Sequence, residues 1–286
     1  MNEPQPLPLT TPTGQVIEST LFEPETSVIG QLVIGGAMGV PQRFYRHTAT
    51  FFASQGIRCL TFDYRGVGMP EVTKKYEHIQ IIDWAREDLT TALRTLNQHA
   101  PTLPLYYLGH SLGGQIVGLS EVAPKITRLL MVASGVGDWR CFSPRQWPKM
   151  WLAWYLVIPL LLTLKGYLPG WLLGGNQNIP KGVVKQWRHW CLQSGYLWSD
   201  PATQPHYYEE TNDALFIALS DDHGLAPPSA VAALTAHYPN AQLAIRSPSD
   251  IGVREIGHFG AFRPEPGKRL WKEWLAWLTD GVAPTP

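Results

Sequence analysis

Ser111 sits at the centre of LYYLGHSLGGQIVG, between Gly109 and Gly113. A serine hydroxyl is a poor nucleophile at neutral pH; it needs a base in contact, an acid to orient that base, and donors for a developing oxyanion. The G-x-S-x-G spacing provides small residues around a serine held in a strained turn between a strand and a helix. An apolar run, Leu105 to Leu108, precedes the motif, a helix-compatible run follows it, and Gly114 would let the helix start pack closely on neighbouring strands. An ordinary glycine turn would read the same locally, so the partners must decide.

Nine histidines compete for the role of base. Where G-x-S-x-G marks a nucleophile elbow the partners follow in the order Ser, acid, His, which leaves only His237 and His258 late enough in the chain. His237 lies in AVAALTAHYP and reads as a helix end, whereas His258 in REIGHFGAF follows an expected strand and is flanked by Gly257 and Gly260. His258 is the candidate base. His110 is next to the serine, cannot fold back onto it, and reads as a packing residue.

ALFIALSDDHGLAPP puts Asp221 and Asp222 at the C-terminal end of a strand, where ligand-facing loops of such sheets lie. Adjacent side chains point apart, so only one can reach the imidazole; Asp222 is preferred, with Asp221 the alternative and Asp138 a third possibility. The oxyanion donors are expected to be the backbone N–H of Leu112, at the helix start, and that of Met38 in the loop after VIGG.

These residues require a particular scaffold. SVIGQLVIGG, GIRCLTFDYRGVG, LPLYYLG and ITRLLMVASGVG read as strands, with helices between them in PQRFYRHTATFFASQG and WAREDLTTALRTLNQH, the latter with Asp83 as its N-cap. QVIESTLFEP is expected to be one strand near the start. After a break the pattern resumes with strands in NDALFIALSDD and SDIGVREIGH, a helix in PPSAVAALTAHYP, and a last helix whose Leu270, Trp274, Trp277 and Leu278 face the sheet. Alternation of this kind implies an α/β fold: a mostly parallel, doubly wound sheet with right-handed crossovers.

The break runs from 139 to 205 and reads as a helical, Trp-rich cap inserted into a core formed by 1–138 and 206–286. The twelve Trp residues concentrate there and in the last helix. Trp151, Trp154 and Trp187 are expected to line an apolar substrate pocket. Within the cap, Met150 to Leu164 is shorter than the roughly 20 residues a bilayer span needs, and Pro159 and Lys165 are expected to break it. It reads as a buried or interfacial cap helix rather than a span, and lipid-surface contact is a minor reading.

Lys plus Arg and Asp plus Glu both number 23, so the chain has no basic stripe for nucleic acid and the expected partner is a small-molecule acyl substrate. Three scattered cysteines have neither metal nor disulfide spacing, and the start of the chain lacks the pattern of a signal peptide. A cytoplasmic location without metal or other cofactor is the expectation.

GAMG after VIGG, DYRGVG, GHSLGG, SDD and GHFG together resemble the α/β-hydrolase superfamily over nearly the whole chain. AMGVPQRFY, FDYRGVG, IPKGVVKQWRHWC and IGHFGAFR are more closely similar to bacterial predicted α/β hydrolases near the serine aminopeptidase-like and monoacylglycerol-lipase-like branch. The resemblance implies the α/β-hydrolase fold with a cap and a Ser111, Asp222, His258 triad. Serine at the elbow separates it from dehalogenases and epoxide hydrolases, which carry a carboxylate there. Two positions depart from the superfamily: Gly36-Ala37 stands where most relatives begin the oxyanion loop with His-Gly, and DDHGLAPP is a residue longer than usual, which keeps Asp221 in contention. The expected activity is cleavage of an acyl ester, with thioester hydrolysis or acyl transfer on the same triad as the enzymatic alternative and a catalytically silent apolar-ligand binder as the non-enzymatic one.

Overall fold

The computed structural model describes residues 2–284. Eight strands make one sheet: β1 (Gln5–Pro6), β2 (Ser19–Phe22), β3 (Gly30–Gly35), β4 (Ile57–Phe62), β5 (Leu105–His110), β6 (Arg128–Val132), β7 (Ala214–Leu219) and β8 (Ala241–Arg246). Their spatial order is β1-β2-β4-β3-β5-β6-β7-β8. The pairs involving β2 are antiparallel and the others parallel. This is the mostly parallel, doubly wound α/β sheet that the alternation of elements implies.

The central strands GQLVIG, LYYLGH and ALFIAL are buried at every residue. Continuous apolar runs of this kind belong to parallel strands covered on both faces. The covering helices include Arg46–Ser54, which packs against Pro264–Asp280, and Thr90–His99, which packs on β3 and β4. In the last helix Leu270, Trp274, Trp277 and Leu278 are all buried, and Trp277 Nε1 donates to the Leu129 carbonyl of β6 at 2.9 Å.

Local structure corrects four expectations. QVIESTLFEP divides: Val16–Ile17 pairs with Leu9–Thr10 in a separate ribbon, and only Ser19–Phe22 joins the main sheet. Asp83 is not an N-cap but the third residue of its helix, where its carboxylate accepts the Gln80 N–H at 2.7 Å in a reciprocal cap. The last strand is AQLAIR rather than SDIGVREIGH. Ser247 and Asp250 cap each other around the short turn Pro248–Ile251, and Gly252 reverses the chain at φ 60°, so a loop carries it to the helix Gly257–Gly260. Finally, Pro159 does not break the apolar segment: Pro144–Lys165 is one continuous run of helical turns. A π-helical stretch, Ala153–Val157, comes just before the proline and already lacks regular i to i−4 bonding, so the missing N–H costs little there.

Between β6 and β7 the chain leaves the main sheet. It forms the Pro144–Lys165 helical run, the helix Lys181–Leu192, several single turns, and a small ribbon pairing Tyr167–Leu168 with Ile179–Pro180.

Candidate active site

β5 ends at His110, and the helix Leu112–Ile116 begins two residues later. Ser111 bridges them with φ 53° and ψ −117°, a conformation that non-glycine residues seldom adopt. Backbone strain of this type costs on the order of 1–3 kcal/mol and persists only where the surroundings hold it. The holding is visible: Ser111 N–H continues the ladder to Val132 O at 3.1 Å, while Gly114 and Gln115 N–H bond Ser111 O at 3.1 and 3.3 Å. The glycines are sterically required. A Cβ on Gly109 would lie 2.6 Å from the Gly114 Cα, and one on Gly113 would lie 2.2 Å from the Gly35 carbonyl oxygen of β3.

Asp222 follows β7 and is 4 % exposed; its Oδ2 lies 2.5 Å from His258 Nδ1, and its Oδ1 accepts the Leu225 N–H at 3.2 Å. An ionised carboxylate only accepts, so Nδ1 carries the hydrogen and neutral His258 keeps its lone pair on Nε2. Asp221 faces elsewhere: its Oδ2 accepts the N–H groups of Ile256 and Gly257 at 2.8 and 3.0 Å. One carboxylate therefore meets the imidazole, and its neighbour pins the loop that delivers it. Asp138 meets neither. It caps the turn Trp139–Cys141 and pairs with Arg140 at 2.9 Å.

Sequence reading missed the contacts made by His110. Its side chain is fully buried, with Nε2 2.9 Å from the His258 carbonyl oxygen and Nδ1 2.8 Å from Tyr45 Oη, and Tyr45 Oη in turn accepts the Ala37 N–H at 2.8 Å. The directions follow from the ends of the chain. The carbonyl can only accept, so Nε2 donates to it and Nδ1 accepts the tyrosine proton. Burial, reinforced by nearby His258, holds His110 well below the usual histidine range, so it stays neutral; burial likewise pushes the Tyr45 hydroxyl well up. The adjacency of His110 to the elbow serine was readable, but Tyr45 is 65 residues away in sequence and nothing local announces the pair.

Ser111, His258, Met38 and Leu112 all line one cavity of about 440 Å³. The N–H groups of Met38 and Leu112 donate to no acceptor among the described residues, whereas that of Ala37 is taken by Tyr45. Trp154 and Trp187 line the cavity as well, their rings in an edge-on pair 4.8 Å apart. Trp154 is turned inward within the π-helical stretch, and its carbonyl accepts Arg188 Nε at 2.6 Å. Trp151 does not reach the cavity: it is 63 % exposed and lines only an outer groove, which it shares with Trp154. Apolar wall residues that sequence did not single out are Phe142, Ile158, Leu172 and Phe259. A polar side chain, Gln115, is fixed by Gly135 O and by Tyr196 Oη, both at 2.7 Å.

A family model described as serine aminopeptidase, S33, matches residues 30–186. A monoacylglycerol lipase of Mycolicibacterium smegmatis is 31 % identical over 104 residues, a match covering 36 % of this chain and 36 % of that protein. Among solved structures, a soluble variant of monoglyceride lipase from Saccharomyces cerevisiae superposes with a TM-score of 0.63 at 14 % identity, over 100 % of this chain and 97 % of that one. A thermostable carboxyl esterase from Bacillus coagulans gives 0.61 at 13 % identity, over 97 % and 98 %. At such identities the two structures speak for the fold, and the family match for descent: the chain belongs to the serine aminopeptidase S33 family, on an α/β-hydrolase fold.

Proposed function

We propose that this protein is a serine hydrolase that cleaves an acyl ester with an apolar acyl group. Ser111 is the nucleophile, His258 the base and Asp222 the orienting acid. The observation that carries the reading is the 2.5 Å hydrogen bond between Asp222 Oδ2 and His258 Nδ1, beside a cavity that the strained Ser111 also lines.

The chemistry follows from the proton positions. His258 Nε2 takes the Ser111 hydroxyl proton as Oγ attacks the ester carbonyl, and Asp222 stabilises the imidazolium that forms. Charge then develops on the carbonyl oxygen, where the unengaged N–H groups of Met38 and Leu112 are the donors; each such donor is worth on the order of 3 kcal/mol in the transition state. Collapse breaks the ester C–O bond, and Nε2 gives its proton to the leaving alcohol. Water then attacks the acyl-enzyme with His258 as base again, releasing the acid and restoring Ser111.

The apolar wall of Trp154, Trp187, Phe142, Ile158 and Leu172 supports an apolar acyl chain, and the cavity volume of about 440 Å³ falls in the range of small-molecule sites. The likeness to proteins named monoacylglycerol lipase, monoglyceride lipase and carboxyl esterase supports ester over amide.

The test is turnover of a matched series of aryl esters, thioesters and anilides of increasing acyl length, with and without an added alcohol or thiol acceptor. Ester cleavage that disappears in Ser111→Ala, with water as the favoured acceptor, is the expected result. Preference for thioesters, or acyl passing mainly to the added acceptor, would move the assignment to a thioesterase or an acyltransferase.

A further inference from the structure

The Pro144–Lys165 helical run has two apolar sides. Inward, Trp154, Ile158 and Leu162 are buried, while outward Leu152, Leu156, Leu160 and Leu164 repeat every fourth residue at 44, 56, 51 and 72 % exposure. Trp151 and Tyr155 extend that outer side, at 63 and 52 % exposure. A helix that lies on its own domain and meets only water outside would carry polar residues there. A continuous outward apolar stripe marks a surface that meets something else.

The charges around it identify what. From 139 to 198 the sequence contains no Asp or Glu, although the whole chain balances 23 acidic residues against 23 Lys and Arg. Arg145 and Lys149 lie at one end of the stripe, Lys165 at the other and Lys185 on the helix Lys181–Leu192, all four exposed. Apolar side chains flanked by cations, with Trp and Tyr among them, match the interface of a bilayer that carries anionic headgroups. The stripe is also joined to the site. Met150 and Trp154 line both the internal cavity and an outer groove of about 410 Å³ that Trp139, Trp147, Trp151 and Tyr155 complete. One layer of side chains separates an acyl chain lying in that groove from the cavity of Ser111.

We propose that the outer face of the Pro144–Lys165 run docks the protein on an anionic lipid surface, lying along the interface rather than crossing it, so that apolar acyl substrates enter from lipid. Binding does not depend on turnover, so the test uses the whole 286-residue chain carrying Ser111→Ala and stands or falls separately from the assignment of ester hydrolysis.

Co-flotation is measured with vesicles of phosphatidylcholine alone and of phosphatidylcholine containing about 30 % phosphatidylglycerol. Binding to the anionic vesicles is expected, weakened roughly tenfold or more on neutral ones and at high salt. Leu156→Ser with Leu160→Ser, and separately Arg145→Glu with Lys165→Glu, should each lower it by roughly tenfold. All four side chains are exposed, and an unchanged near-UV circular dichroism spectrum checks that folding is kept. Absence of binding to either vesicle overturns the proposal, as does binding that ignores both pairs of substitutions. Self-association in vesicle-free buffer that the leucine pair abolishes would also overturn it, by making the stripe a contact between copies.

Discussion

His110 Nε2 donates to the carbonyl oxygen of His258, 148 residues further along the chain, at 2.9 Å, so the residue preceding Ser111 holds the backbone of His258. Through Nδ1 the same ring receives Tyr45 Oη–H at 2.8 Å, and Tyr45 holds the Ala37 N–H beside Met38. One neutral ring thus ties together three segments that the proposed chemistry needs in register. Removing the tyrosine hydroxyl tests this: Tyr45→Phe should lower kcat by about tenfold, the value of one to two neutral hydrogen bonds, with KM little changed. Steady-state kinetics on a soluble ester separates the two; a change confined to KM would contradict the positioning role.

The same burial predicts a pH dependence of stability. The folded pKa of His110 lies below its unfolded value near 6.5, so between the two the unfolded chain binds more protons. The stability that neutral His110 contributes is fully present above about pH 6.5 and is lost as pH falls towards the folded pKa. Urea midpoints for the parent should therefore drop on acidification through this window. His110→Gln, less stable at neutral pH by about 1–3 kcal/mol, should show a shallower drop.

Asp221 and Asp222 are adjacent in sequence and opposite in consequence. Asp222→Asn presents the wrong hydrogen-bond partner to Nδ1 and should reduce kcat by on the order of 10⁴, leaving the fold intact. Asp221→Ala strips two N–H groups of their acceptor and should destabilise the chain by about 2–4 kcal/mol, whereas Asp221→Asn keeps an acceptor and recovers most of that. Thermal unfolding and kinetics on the three variants distinguish orientation of the His258 ring from anchoring of its loop.

Two tryptophans three residues apart divide in the same way. Trp154→Ala empties a buried position on the cavity wall and should cost about 3–5 kcal/mol of stability while shifting preference towards bulkier acyl groups. Trp151→Ala, at an exposed position, should change stability by no more than about 0.5 kcal/mol and leave turnover of soluble esters unaltered.

The sheet was legible because buried parallel strands such as QLVIG and ALFIAL are continuous apolar runs with few competing readings. β8 was not. Its half-exposed AQLAIR is less apolar than a central strand, while the following SDIGVREIG imitates a strand until Gly252 and the Ser247–Asp250 cap break it. The Pro144–Lys165 run misled through Pro159, since a π-helical turn that tolerates a proline leaves no sequence mark. The candidate residues Ser111, His258 and the acidic pair are marked by local motifs. The division of labour between the two aspartates, the Tyr45–His110 link and the outward facing of Trp151 depend on contacts across the fold, which spacing does not encode.

The central claim is that Ser111 forms a covalent acyl-enzyme. Intact-mass and peptide analysis after exposure to a fluorophosphonate ester tests it directly. One adduct per chain, mapped to the Ser111 peptide, absent from Ser111→Ala and strongly slowed in His258→Ala, is the predicted result. An unmodified parent chain, or equal labelling of Ser111→Ala, would contradict it.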